Sequence, residues 1–355
     1  RLLVQTCEGE GREKLQEWIE KSWLEKQQQH LREWRDQMIE FLLNLSRKLK
    51  FNELILNHLI ECNHLIIIPH LNLHHIPFTA LPIQIQKQTS YLCDRFSIQT
   101  IYNSQMLKSE LQQKQNDSAD TMGILEDTTG DFVLTHYEAQ KITQLYQVSE
   151  ELYLANETAT VKNFERLMKH VQLGYLGSPL QLISEPKLEA QLQFIDDKIT
   201  LEQILERCSS NLSELCIPYL KIEDKMLKLS ELNLKILNRF LERGIEQVMY
   251  SLWILEDIAT SLLILFYYQN LHQQEIQSKN SYEALRQAQI QLRGLTGQEL
   301  DQKYKPELQE YLKQRKENTN QQKINDQRTL LAWKCQQEYP FENPYYWANF
   351  IVYGG

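Results

Sequence analysis

The chain lacks any apolar run long enough to cross a bilayer, which takes roughly 18 to 20 residues. The nearest approach, Ile258 to Tyr268, is eleven residues long and follows Glu256-Asp257, so it reads as a buried helix. An excess of basic charge is missing too: the formal net charge is −9, the opposite of a nucleic-acid footprint. None of the six cysteines (7, 62, 93, 208, 216, 335) forms a CxxC pair. That spacing excludes the usual zinc framework and argues against disulfide stapling, and it fits reduced thiols in a cytoplasm. No repeat with a 20–50 residue period is visible, and no signal-like apolar segment opens the chain. With Arg1 rather than methionine in first place, the sequence is expected to be a segment of a longer polypeptide. Four histidines (64, 70, 74, 75) fall within twelve residues, but no acidic or cysteine partner stands at ligand spacing. They are read as structural or surface residues, and no metal or cofactor is expected.

What is present is ordinary soluble-protein composition, with 24% charged and 42% apolar residues over 355 positions. The most informative stretch runs from Asn211 to Trp253. Leu215-Cys216-Ile217 is a short apolar run closed by Pro218. Leu232, Ile236, Leu237, Phe240 and Leu241 then recur at helical spacing, Gly244 stops the helix, and Val248 to Trp253 forms a second apolar run. Strand, helix, glycine and strand make the unit of a parallel sheet, whose chemistry sits at the carboxyl ends of the strands.

Around this unit the pattern predicts further elements. Glu13 to Leu49 reads as a long helix or helical hairpin, with Trp18 and Trp34 on its apolar face. Leu65 to Ile68, closed by Pro69, reads as a strand buried on both faces. Tyr91 to Tyr102 alternates like a strand, and the polar stretch 111–121 reads as a linker between two halves. Met122 to Leu125, Glu151 to Leu154 and Val171 to Gly177 read as strands, with helices at His136 to Tyr146 and Thr158 to Lys169. Residues 299–326 are expected to be an exposed helical insertion ending in a flexible Asn/Gln tract, and Asn343 to Gly355 an aromatic closing strand.

Six blocks in order resemble the CHAT domain, a caspase-like module: IIIPHLNLHHIPFTAL (66–81), YLCDRFSIQTIYNSQML (91–107), HYEAQKI (136–142), LYLANETATVKNFERL (152–167), GIEQVMYSLWILEDIATSLLILFYYQNL (244–271) and NPYYWANFIVYGG (343–355). The resemblance covers about residues 60 to 355. It implies a three-layer α/β/α caspase-like sandwich. Residues 1–60 would be a helical extension, 61–115 a non-catalytic lobe, and 120–355 the subdomain that normally carries a Cys/His dyad. In the dyad, histidine takes the thiol proton and a neighbouring glycine lets backbone N–H groups approach the oxyanion.

Both dyad positions depart from that pattern. In VQLGYLG (171–177) the glycine is kept as Gly177, but Leu176 stands where the histidine belongs. Pro218 falls in the place of the cysteine, with Cys216 two residues earlier on the same side of the strand. His170 lies six residues before Leu176, about 20 Å back along an extended strand. Asp257 is open to two readings: the wall of a pocket for a basic peptide side chain, or the cap of the helix that begins at Ile258. Gly177 and Asp257 are therefore the candidate peptide-binding residues.

The resemblance leads to a catalytically inactive interaction or regulatory module within a larger bacterial signalling or defence protein, engaging a protein partner or other domains of its own polypeptide. An active cysteine endopeptidase cutting after basic residues with Cys216 as nucleophile is the competing expectation. A structural platform, its strand ends plugged by Leu176 and Tyr219, is a third.

Overall fold

A computed structural model describes residues 4–7, 11–85, 88–101, 121–183, 189–207, 212–222, 229–253, 256–274, 280–314 and 321–354. The strands in chain order are β1 (His64–Ile67), β2 (Pro82–Ile85), β3 (Gln88–Tyr91), β4 (Ser97–Thr100), β5 (Met122–Leu125), β6 (Tyr153–Leu154), β7 (Leu173–Leu176), β8 (Leu180–Ile183), β9 (Glu189–Gln193), β10 (Lys198–Thr200), β11 (Glu214–Ile217), β12 (Leu220–Ile222), β13 (Gln247–Ser251) and β14 (Phe350–Gly354). Eight of them form one sheet in the order β1-β4-β14-β13-β11-β7-β5-β6.

The five strands from β13 to β6 run parallel, and β14 pairs antiparallel with β13 but parallel with β4. The last strand of the chain thus joins the two halves into a single sheet. Its burial explains the sequence: β4, β5, β7, β11 and β14 are covered at every described position. Helices Thr135–Tyr146, Asp257–Gln273 and Ser281–Gly294 pack together on one face. Helices Val161–Met168 and Leu229–Glu242 pack on β5 and β13 from the other face, where Leu167 approaches Gly123 and Leu241 approaches Gly354. This is the expected layered α/β/α architecture. The helix ending at Glu242 stops as the sequence predicts, with Gly244 at φ +91° and its N–H on the Leu241 carbonyl.

Several local expectations are corrected. The stretch from 91 to 102 is not one strand: a helical turn, Leu92–Arg95, interrupts it, held by the Tyr91 N–H on Asp94 Oδ2 at 2.8 Å. Only Tyr153–Leu154 is extended in the predicted strand from Glu151, because a 3₁₀ turn takes Glu150–Leu152. Of the two forms read for the N-terminal helices the structure has the hairpin: the chain turns at His30, φ −137°, and Trp18 stacks on Phe41 at 4.4 Å. The closing aromatic segment begins as a helical turn, Pro344–Trp347, before β14.

The segment 299–326 is not a freely exposed insertion. Leu300, Leu308, Leu312 and Ile324 are buried, Tyr311 meets Tyr137 edge-on at 5.1 Å, and Lys141 pairs with Glu307 at 2.8 Å. Its described helices cover the outside of helix Thr135–Tyr146, since apolar residues at three-four spacing need a surface to bury against. The predicted linker at 111–120 and the Asn/Gln tract at 315–320 lie outside the described residues.

The N-terminal helices are part of the same core. Trp34 meets Trp253 edge-on at 5.3 Å and Trp23 does so at 6.2 Å, just past the end of β13.

Candidate functional site

Past the carboxyl ends of β7 and β11 the described residues of both segments continue into further strands. Each strand breaks at a proline, after Gly177-Ser178-Pro179 in one and at Pro218-Tyr219 in the other, because proline cannot donate to a ladder. Both chains then run on into a second sheet, β10-β9-β8-β12, where β8 and β12 are again parallel neighbours. The Leu180 N–H on the Tyr219 carbonyl, at 3.0 Å, stitches the two breaks together. The hairpin β9–β10 in this sheet has no counterpart in the predicted elements, because its alternation is short and mixed with charge.

Cys216 pairs in register with Tyr175, so continuing the ladder sets Ile217 beside Leu176 and Pro218 beside Gly177. Leu176 is 1% exposed and Cys216 fully buried. Loss of water pushes the Cys216 thiol well above its ordinary range. The nearby Glu214 carboxylate pushes the same way, and only a hydrogen bond from Tyr268 opposes it. A buried thiol so shifted packs as a small apolar side chain. His170, at the opposite end of β7, is exposed, with Nδ1 against the Arg166 carbonyl at 2.7 Å. The sequence-predicted residues at the strand end are therefore brought together, but they form a hydrocarbon layer.

Gly177 is demanded by close packing. A Cβ there would lie 2.9 Å from Tyr175 Cε1 and 3.1 Å from the Leu125 carbonyl oxygen, and the glycine N–H already donates to that oxygen at 2.7 Å. Of the two roles read for Asp257 in the sequence, the structure removes the cap. The helix begins at Asp257 itself, with Glu256 before it, so Asp257 is not the cap. The residue is 9% exposed, and its carboxylate Oδ2 accepts the Val133 N–H at 2.8 Å. Burial pushes its pKa up to about 6, against the pull of that N–H.

Beneath the strand ends lies a residue that the sequence reading passed over. Glu138, on helix Thr135–Tyr146, is fully buried and accepts hydroxyls from Tyr175, from Tyr219 at 2.5 Å and from Ser261 at 2.5 Å. Burial pushes it up to about 7, while the three hydroxyls oppose the shift. The available signal was its spacing: Glu138 shares a helical face with Leu134 and Ile142, both buried. Tyr219, 3% exposed, is held from below by Glu138 and covered from above by Phe132, with ring centroids 3.9 Å apart.

Phe132 belongs to the loop 126–134, also unread in the sequence. Asp127 folds this loop on itself, with Oδ1 accepting the Thr129 N–H at 2.8 Å and Oδ2 the Phe132 N–H at 3.0 Å. Beside it, Glu126 Oε2 meets His136 Nδ1 at 3.0 Å and accepts the Tyr153 hydroxyl. Among the described residues no group of three or more His, Cys, Asp or Glu side chains could hold a metal ion. Of the four clustered histidines, His74 and His75 are buried, and desolvation pushes both down to about 4. His64 meets Gln99 Oε1 at 3.2 Å. No helix of the described residues is long and apolar enough to cross a membrane.

No curated protein matches the chain. The family model of the CHAT domain matches residues 42–355, reaching further toward the N-terminus than the blocks quoted above and taking in the end of helix Leu31–Lys48. With its mixed α/β sheet and most of its length matched, the chain belongs to the CHAT domain family, a caspase-like family related to peptidases.

Proposed function

We propose that this CHAT domain cleaves no peptide bond and works as a protein-interaction or regulatory module, engaging a protein partner or other domains of its own polypeptide. A bacterial signalling or defence protein, acting in the cytoplasm, is the setting that the family resemblance suggests. The observation that carries the reading is Leu176 at the strand end where the family resemblance calls for an imidazole: an aliphatic side chain moves no proton. The burial of Cys216 and the upward shift of its thiol support it, since a cysteine nucleophile needs an accessible thiolate. So does the Tyr219–Phe132 stack at the residue that follows Pro218.

The test is a panel of fluorogenic peptides with lysine or arginine before the scissile bond, run with the chain and with Cys216→Ala. No turnover above the variant is expected. Hydrolysis that disappears with Cys216→Ala would instead establish the cysteine endopeptidase.

A further inference from the structure

Loop 126–134 is attached to the molecule at its feet, at Thr128, whose hydroxyl donates to the Gln193 carbonyl at 2.5 Å and meets Ser178 Oγ at 2.8 Å, and at its tip. Its feet are buried: the Glu126 N–H donates to the Leu154 carbonyl at 2.9 Å, and the Val133 N–H to Asp257 at 2.8 Å. Its tip is held by groups that water reaches. Asp131 pairs with Lys221 on β12 at 2.7 Å and with Lys323 on helix Gln321–Lys334 at 3.4 Å, and the two lysine side chains are 41% and 44% exposed. Lys323 Nζ also donates to the Asp131 carbonyl at 3.0 Å. The tip carries Phe132 over Tyr219, the residue that follows Pro218.

We propose that loop 126–134 is an autoinhibitory strap over the ends of β7 and β11, tied down by Lys221 and Lys323 on Asp131, and that a partner segment bearing lysine or arginine releases it by taking over Asp131. The proposal rests on the reading of the domain as an interaction module and names the chemistry of its partner. Three observations carry it. The strap covers the ends of the strands, where ligands of open α/β sheets bind. Its tip is fastened by exchangeable ion pairs, each a weak tie near water, while its feet are fixed by buried bonds. Asp131 also holds two cations belonging to two different elements, so a basic segment offers it the same chemistry from outside.

Hydrogen exchange of the 126–134 backbone, followed by mass spectrometry, reads the strap directly. In a Lys221→Gln, Lys323→Gln double variant the loop is expected to exchange about fivefold faster, the loss of two solvent-reachable pairs. Helices Thr135–Tyr146 and Asp257–Gln273 should keep their protection, which shows that the fold survives. A fluorescent acetyl-Ala-Arg-Ala-Arg-Ala amide should bind the double variant, and adding Asp131→Asn should abolish that binding. Unchanged loop exchange overturns the proposal, and so does faster exchange without capture of the peptide. If the captured peptide is also cut, and cutting is lost with Cys216→Ala, the strap stands while the reading of the domain as inert falls.

Discussion

Phe132 lies over Tyr219 with their planes inclined by 30°, and the Tyr219 hydroxyl is in turn anchored on the buried carboxyl of Glu138. A surface loop, a strand break and a helix are thereby stacked at the place where the resemblance expects a catalytic dyad. Four predictions follow from the packing there and around it.

Cys216 should be inert in the native chain. Its burial and raised pKa leave no thiolate for alkylation, and Cys93, also buried and pushed up to about 12, should behave alike. Brief iodoacetamide treatment at pH 8, followed by peptide mass spectrometry, should label the partly exposed Cys7, Cys62 and Cys335 first. Early modification of Cys216 would contradict the buried site.

Glu138 should make the fold less stable as pH rises. Its carboxyl loses a proton near 4.5 when unfolded and near 7 in the fold, so between those values only the folded state holds the proton. Stability falls through that window, by about 3 kcal/mol at most, and stays lower above it. Asp257 acts in the same direction up to about 6, while His74 and His75 act oppositely between about 4 and 6.5. The comparison of wild type with Glu138→Gln isolates the contribution of this carboxyl. Urea melts from pH 4.5 to 8 should show the variant gaining on wild type as pH rises, and parallel profiles would refute a titrating Glu138.

Gly177→Ala should destabilise the domain. The new methyl meets Tyr175 and a backbone carbonyl, and the Tyr175 ring is fixed by its hydroxyl on Glu138, so neither neighbour gives way easily. Overpacking of this kind costs about 1–3 kcal/mol. An unchanged urea midpoint would mean that the strand end has room.

Trp34→Ala should weaken the whole domain and not the N-terminal helices alone. Trp34 is buried between Trp23, Trp253 and Tyr345, and emptying such a site costs about 3–5 kcal/mol. The expected result is one cooperative transition at lower denaturant, with fluorescence and far-UV circular dichroism coinciding. Two separated transitions would show that the helices before residue 42 are an independent appendage.

The sequence by itself determined the alternation of strands and helices, the strand-helix-glycine-strand unit ending at Trp253 and the aliphatic character of position 176, while the layered arrangement came from the family resemblance. The first three rest on local periodicity and residue identity, which need no knowledge of distant neighbours. Only the tertiary structure decided the rest. Asp257 could be read as a cap until the helix was seen to begin at it, with its carboxylate on the Val133 N–H, from a loop 124 residues away in the chain. The helices near residue 300 looked exposed because their covering surface, Tyr137 and its neighbours, comes from another part of the chain. Glu138 looked like any helical glutamate, because burial of a carboxyl and the convergence of three hydroxyls on it are properties of packing that no local pattern encodes.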